Sequence, residues 1–295
     1  MNLIEGGTLT SVPGIEVGHW TNADAMTGCT VVKLPEPNVI AGETRGAAPG
    51  TRETALLEPG MAVEQGDAIV LSGGSAFGLA AADGVMSELE ADGRGVWTPG
   101  GVVPIVPSAV LYDLLVSDGS VRPDAESGAS AYHSASGDPV AQGAVGAGTG
   151  ATVSKWRAIF NQSGTGSAAV AVEGATVAAL VAVNALGDVF TLEGEPLTGG
   201  PHVAEPLALP PPVGQNTTLA VIATDANLGR AELTRLAVRA QDAFSVCLRP
   251  AHTRFDGDTV FAVSCGDKEL LVDNLAEGAF EAVGRAIESA IRHVN

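Results

Sequence analysis

Short apolar runs separated by glycine-rich turns fill the first two thirds of the chain, and a different, longer-period pattern follows. Thr30 to Leu34 and Ala68 to Leu71 read as strands, since β-branched and aliphatic residues bounded by turn formers suit a buried pleated surface. The segment SGGSAFGLAAADGVMSELEADGRG sets Phe77, Ala81, Val85 and Leu89 four apart and stops at Gly93. That spacing predicts an amphipathic helix with a glycine stop. GSAAVAVEGATVAALVAVNALGDVF reads as two buried strands around a Glu173-Gly174 turn, with Asn184 closing the second. TTLAVIATD is another strand. Arg230 to Leu248 is a helix with Leu233, Leu236, Ala237, Ala240, Phe244 and Cys247 on one face and Pro250 ending it. DTVFAVSCG gives a further strand, and a helix from about Lys268 to His293 completes the chain.

Between these two regimes lies a break. Pro196, Pro201, Pro206, Pro210, Pro211 and Pro212 crowd the stretch from Glu195 to Val213. Proline has no backbone donor and a fixed φ, so this stretch forms neither a helix nor a central strand and is expected as a surface loop. The part beyond it alternates strand, helix, strand, helix. If its two strands are parallel members of one sheet, their heads share an edge. Thr217 then meets Asp256 and Asp258, although they are 39 and 41 residues away. An antiparallel pairing would need different connections to make the same meeting.

Composition narrows the function. With 34 Asp and Glu against 15 Lys and Arg, the formal charge is −19, which disfavours nucleic acids and anionic membrane surfaces as partners. Such an acidic surface suits a salty cytoplasm, where self-repulsion is screened. MNLIEGGTLTSVPG has no signal-peptide pattern, and the most apolar stretch, Ala168 to Leu186, is interrupted by Glu173, Gly174 and Asn184. A cytoplasmic protein outside the membrane is therefore expected. Cys29, Cys247 and Cys265 lack paired spacing and are expected as reduced core thiols. His19, His133, His202, His252 and His293 lack ligand spacing, so neither a metal nor another cofactor is expected. Only Lys33, Lys155 and Lys268 are lysines, which makes each one conspicuous.

Several motifs invite chemistry and then withhold it. GGSAF around Ser75 lacks the second glycine of the hydrolase elbow G-x-S-x-G. GAVGAGTGATVSKW has neither G-x-G-x-x-G nor a G-K-[ST] ending, which argues against a nucleotide site. The junction at Gln215-Asn216-Thr217 is more productive. Cleavage of the Asn216-Thr217 bond, after a loop and at the head of a buried strand, would give the threonine a free α-amine that can act as base for its own hydroxyl. Such an amine has an unperturbed pKa of about 7.7 to 8.0. Asp256 and Asp258 could orient it and Lys155 could depress its pKa, while the Asn184 amide is a competent oxyanion donor. On the residues alone, DGD is also turn chemistry, Asn184 also an ordinary strand end, Tyr112 in VLYDL also a core tyrosine, and Lys155 also a charge partner.

The strings GIEVGHW, ETRGAAPGTRET, LSGGSAFGLAAADGV, GAGTGATVSKW, NTTLAVIATD and HTRFDGDTVFAV resemble the self-cleaving N-terminal-nucleophile peptidases, which include L-aminopeptidase/D-esterases, β-aminopeptidases and nylon-oligomer hydrolases. The likeness runs from about Gly14 to the final helix. It implies an α/β fold, a four-layer α/β/β/α sandwich forming one catalytic domain over 1-295, cut into a large subunit 1-216 and a small subunit 217-295. It implies that Thr217 is the nucleophile, that Asn184 and Tyr112 serve the oxyanion, that Lys155 corresponds to a lysine of the nylon-hydrolase branch, and that Asp256 and Asp258 support the nucleophile. Aminopeptidase members are expected to carry serine and a serine-x-glutamate pair, so threonine with Asp-x-Asp points toward the nylon-oligomer branch. The resemblance implies small peptides or amides as substrates and a homo-oligomeric assembly. The alternatives are an exopeptidase of the aminopeptidase/D-esterase type, an acyltransferase of the ornithine acetyltransferase type, and an unprocessed relative that only binds a ligand.

Overall fold

Alternation with a period of two along the buried strands sends neighbouring side chains to opposite faces, and that division generates the architecture. The structure, a computed structural model, describes residues 1–200 and 216–294. Its principal strands are β1 (Asn2–Leu3), β2 (Glu16–Asn22), β3 (Thr27–Lys33), β4 (Val39–Thr44), β5 (Thr51–Arg52), β6 (Ala68–Ser72), β7 (Ser108–Val110), β8 (Thr165–Val172), β9 (Ala175–Asn184), β10 (Thr217–Ala226) and β11 (Thr259–Lys268). Helices α1 (Ala81–Ala91) and α2 (Ala125–His133) precede β8, and α3 (Arg230–Cys247) and α4 (Val272–Arg292) accompany β10 and β11.

One sheet has the order β1-β8-β9-β10-β11-β4 and the other β2-β3-β6-β7-β5. Along β9, Val177, Ala179, Val181 and Val183 face a core shared with α3 and α4. The intervening Ala178, Leu180 and Ala182 face the other sheet, packing in one core with Val32, Ile69 and Leu71. From that second sheet, Cys29, Val31, Ala68 and Val70 turn outward to a third core with Ala81, Val85 and Leu89 of α1 and Tyr132 of α2. The layers are therefore α1/α2, sheet, sheet, α3/α4. Strands buried on both faces read as nearly continuous apolar runs, which is why the sequence around β9 and β10 lacks a polar face. The expected four-layer α/β/β/α sandwich is what the chain forms.

Two element boundaries differ from expectation. Residues Ser75–Ala80 form a tight 3-10 turn before α1, so Phe77 is 61% exposed under the Arg122 guanidinium instead of continuing the buried face. Lys268 ends β11 and the last helix begins at Val272; Lys268 turns back to pair with Asp225 at 2.7 Å. Cys29 and Cys247 are buried free thiols as expected, and Cys265 is half-buried. Of the expected proline-rich loop, Pro201, Pro206, Pro210, Pro211 and Pro212 lie outside the described residues, as does Gln215. Among the described residues no helix is long and apolar enough to cross a membrane.

Candidate active site

Strand register assembles the site. Asn184, the last residue of β9, is the antiparallel partner of Thr217, the first of β10. On the other side β10 pairs with β11 in parallel, Leu219 opposite Thr259, and an isolated parallel bridge extends the pairing back to Asn216 and Asp256. Of the two pairings the sequence left open, the parallel one is realised, and it brings the DGD turn beside the Asn216-Thr217 junction. Asn184, Asn216, Thr217, Asp256 and Asp258 are all buried.

The carbonyl oxygen of Asn216 is the focus of the arrangement. The Thr217 hydroxyl lies against it in a very short contact, and the backbone N–H of Gly257 donates to it at 3.1 Å. This approach depends on glycine. A Cβ at position 257 would stand 2.9 Å from Thr217 Oγ1, 2.7 Å from the Ala48 carbonyl oxygen and 2.9 Å from Pro49 Cα. The segment ETRGAAPG supplies those backbone neighbours. Within it Gly46, at φ +91°, lets the chain run so close to Asp256 that a Cβ would lie 2.4 Å from its carbonyl oxygen, and Ala48 N–H donates to the same oxygen at 2.9 Å.

The two aspartates have separate tasks. Asp258 Oδ1 accepts the Thr218 N–H at 2.7 Å, tying the head of β10 to the turn. Its Oδ2 accepts from the backbone N–H of His252 at 3.0 Å and faces His252 Nδ1 at 2.9 Å. Asp256 Oδ2 instead accepts from the Thr253 N–H at 2.8 Å and the Thr253 hydroxyl at 2.6 Å. Burial, and then the charge of Asp258, push the Asp256 carboxyl up to about 6, against the Thr253 hydrogen bonds and the charge of Lys155.

Lys155 approaches from the opposite side. Its turn is held along the end of β9 by Ser154 N–H to Gly187 O at 2.9 Å and Trp156 N–H to Leu186 O at 2.7 Å. Its Nζ donates to Asn184 Oδ1 at 2.8 Å and to the Asn184 carbonyl at 3.2 Å. Burial pulls this ammonium down to about 7, opposed by Asp256. Thr152 N–H donates to the same Oδ1 at 3.0 Å, and Asn184 Nδ2 donates to the Tyr112 carbonyl at 3.0 Å. The amide of Asn184 is thereby held with Nδ2 turned toward Tyr112, and Tyr112, itself half-buried, meets the group through its main chain.

The six residues singled out in the sequence, Thr217, Asn184, Lys155, Tyr112, Asp256 and Asp258, are therefore linked by register or hydrogen bonds around one point. Gly257, Thr253 and His252 join them and were not among the candidates. His252 and Thr253 lie in HTRFDGDTVFAV, but only the turn places their donors on the carboxylates. Gly257 acts through a backbone N–H, which leaves no side-chain signal. Among the described residues no group of three or more His, Cys, Asp or Glu is placed to hold a metal ion.

Residues 7–294 match peptidase family S58. The chain belongs to this family. It is 44% identical to an uncharacterised aminopeptidase of Mycobacterium leprae, over 89% of this chain and 79% of that protein. It is 30% identical to a 6-aminohexanoate-oligomer endohydrolase of a Kocuria species, over 88% of this chain and 75% of the relative. Among solved structures, the L-aminopeptidase D-Ala-esterase/amidase of Ochrobactrum anthropi, described as a variant of the Ntn hydrolase fold, superimposes with a TM-score of 0.78, covering 98% of this chain and 87% of that one at 21% identity. A Burkholderia β-aminopeptidase gives a TM-score of 0.74 over 96% and 85% of the two chains at 23% identity. This family S58 chain accordingly has the Ntn hydrolase fold and is a peptidase or amidohydrolase. For such an enzyme the site supplies a hydroxyl against a carbonyl, an N–H aimed at that carbonyl's oxygen, and two groups whose burial shifts them toward each other, Lys155 downward and Asp256 upward.

Proposed function

We propose that this family S58 member is a self-processing N-terminal threonine amidohydrolase, cut between Asn216 and Thr217, that acts on small peptides or oligoamides. The observation that carries the reading is the Asn216 carbonyl, flanked by the Thr217 hydroxyl and the Gly257 N–H. In the first reaction Thr217 Oγ1 attacks the Asn216 carbonyl carbon and its proton passes to Lys155 or Asp256. The oxyanion on Asn216 O is stabilised by the Gly257 N–H, in a buried setting where one such donor is worth about 10²–10³ in rate. The C–N bond then breaks, the leaving nitrogen takes up a proton, and the resulting ester is hydrolysed by water. Residue 216 becomes a free carboxylate and Thr217 gains an α-amine.

In the second reaction that amine takes the hydroxyl proton while Oγ1 attacks a substrate amide. The proton is delivered to the leaving amine, and water releases the acyl group. Asn184, bound to Lys155 through Oδ1, gives one Nδ2 hydrogen to the Tyr112 carbonyl and serves the substrate oxyanion with the other. Asp258 positions the head of β10. Threonine in place of serine, Asp-x-Asp and Lys155 favour oligoamide or peptide cleavage of the kind named for the Kocuria relative.

Intact mass of the purified protein tests this reading. The expected species correspond to residues 1–216 and 217–295, and Thr217→Ala leaves one chain without amide hydrolysis. A wild-type chain that stays whole and still hydrolyses amides would overturn it. Peptides with free and blocked amines separate exopeptidase from internal cleavage, and an added amine acceptor reveals any acyl transfer.

A further inference from the structure

His252 stands behind the nucleophile's support, and its surroundings define its charge. Nδ1 faces Asp258 Oδ2 at 2.9 Å, and Nε2 faces the carbonyl oxygen of Gln241 on α3 at 3.1 Å. A backbone carbonyl has no hydrogen to give, so Nε2 must donate. Asp258 already accepts N–H groups on both oxygens, from Thr218 on Oδ1 and from the His252 backbone on Oδ2, and hydrogen bonds of that kind favour the carboxylate. Nδ1 must then donate as well. The backbone is committed to this geometry too: His252 sits at φ +55°, a conformation that a non-glycine residue adopts at some cost. The Phe244 ring of α3 covers the imidazole, with 6.2 Å between ring centroids.

We propose that His252 is a buried imidazolium paired with Asp258, a positioning residue that neutralises this carboxylate and so sets the field felt by Asp256, Lys155 and the Thr217 α-amine. The charged groups bearing on His252 are Asp258 and, from the segment after β4, Arg45; Asp256 and Lys155 act beyond Asp258. Burial disfavours the charge on His252, but the hydrogen bond and charge of Asp258 and the Gln241 carbonyl outweigh it and raise its pKa, with Arg45 opposing. The catalytic consequence rests on the hydrolase reading above, whereas the ionic state of the pair does not.

The test has two arms. In the wild-type enzyme, ¹⁵N spectra of the histidine rings at pH 7.5, assigned by the resonances lost in His252→Asn or His252→Gln, are expected to show both nitrogens of His252 protonated. A neutral ring with Nδ1 as acceptor overturns the proposal. His252→Asn keeps a residue tolerant of positive φ and a donor toward Asp258, but removes the charge. Without it the field at Asp256, Lys155 and the Thr217 α-amine becomes more negative, so all three release their protons at higher pH. The acid limb of the kcat/KM profile is expected to move up by about one pH unit, roughly a tenfold loss at pH 6 with less than threefold at pH 8. A lowered plateau with the limb unmoved is the signature of a merely structural role and refutes the proposal. If the wild-type chain neither cuts itself nor hydrolyses amides, the hydrolase reading fails, and the ring spectra still decide the ion pair.

Discussion

Gly257→Ala isolates the geometry of the proposed self-cleavage from the chemistry of side chains. The substitution keeps the N–H that donates to the Asn216 carbonyl, and it adds one methyl group to a space with no room for it. That methyl would lie 2.7 Å from the Ala48 carbonyl oxygen and 2.9 Å from Pro49 Cα, both backbone, and 2.9 Å from the Thr217 hydroxyl. Ordinary contact needs about 3.4 to 4 Å, so neighbours must retreat by roughly half an ångström to one ångström. The backbone of residues 45–48 is held to the DGD turn by the Arg45 and Ala48 N–H groups, on the Asp258 and Asp256 carbonyls, and to Thr253 by the Ala47 N–H, whereas the hydroxyl is at the end of a rotatable bond. Most of the displacement therefore falls on the Thr217 hydroxyl, the proposed nucleophile. A misplacement of this size costs on the order of 10²-fold in rate, while overpacking one methyl costs about 1–3 kcal/mol of stability. Denaturing electrophoresis of freshly purified protein over time, with a thermal melt beside it, measures both. The expected result is a folded chain whose cleavage half-time lengthens by roughly one to two orders of magnitude. Cleavage at the wild-type rate would refute the proposed contact between Gly257 and the nucleophile.

Two further outcomes are expected. Lys155→Met removes a group that burial brings to about 7 and that holds Asn184; it should slow self-cleavage by roughly 10²–10⁴-fold, with circular dichroism showing the fold retained. His19 is enclosed beside Thr30, and burial, opposed by a hydrogen bond with the backbone of Ala141, lowers it from 6.5 to about 4. The unfolded chain therefore binds a proton that the folded chain refuses between these values, and stability falls as pH drops below about 6.5. The full effect is on the order of 3 kcal/mol by pH 4. His19→Gln should flatten that decline in urea unfolding, and parallel curves for the two proteins would contradict it.

The strands around Glu173-Gly174, the strand after Asn216 and the helix from Arg230 were legible because they are buried on two sides or amphipathic, and both leave strong periodic signals. The start of α1 was not. Phe77 keeps the spacing of four with Ala81 and Val85, yet Ser75 and Gly74 hold positive φ and the chain turns before the helix begins. Lys268 likewise reads as helix by position, but its ammonium is drawn to Asp225 and the Gly174 carbonyl, extending β11. Of the site, the side chains were readable as types. The donors that aim at the Asn216 carbonyl and at the carboxylates were not, since a backbone N–H looks the same in every residue.

The sequence alone determined the class of the protein: two-faced strands that need a layer on either side, and a threonine at the head of a strand with an Asp-x-Asp some forty residues on. Tertiary structure decided which groups meet. Parallel pairing of β10 with β11 brought the DGD turn to Asn216, the ETRGAAPG segment closed over it, and His252 came to face two acceptors at once. These are long-range juxtapositions of polar groups in a buried space. Local propensity carries no record of them, because their energies depend on distances that exist only when the sheets have packed.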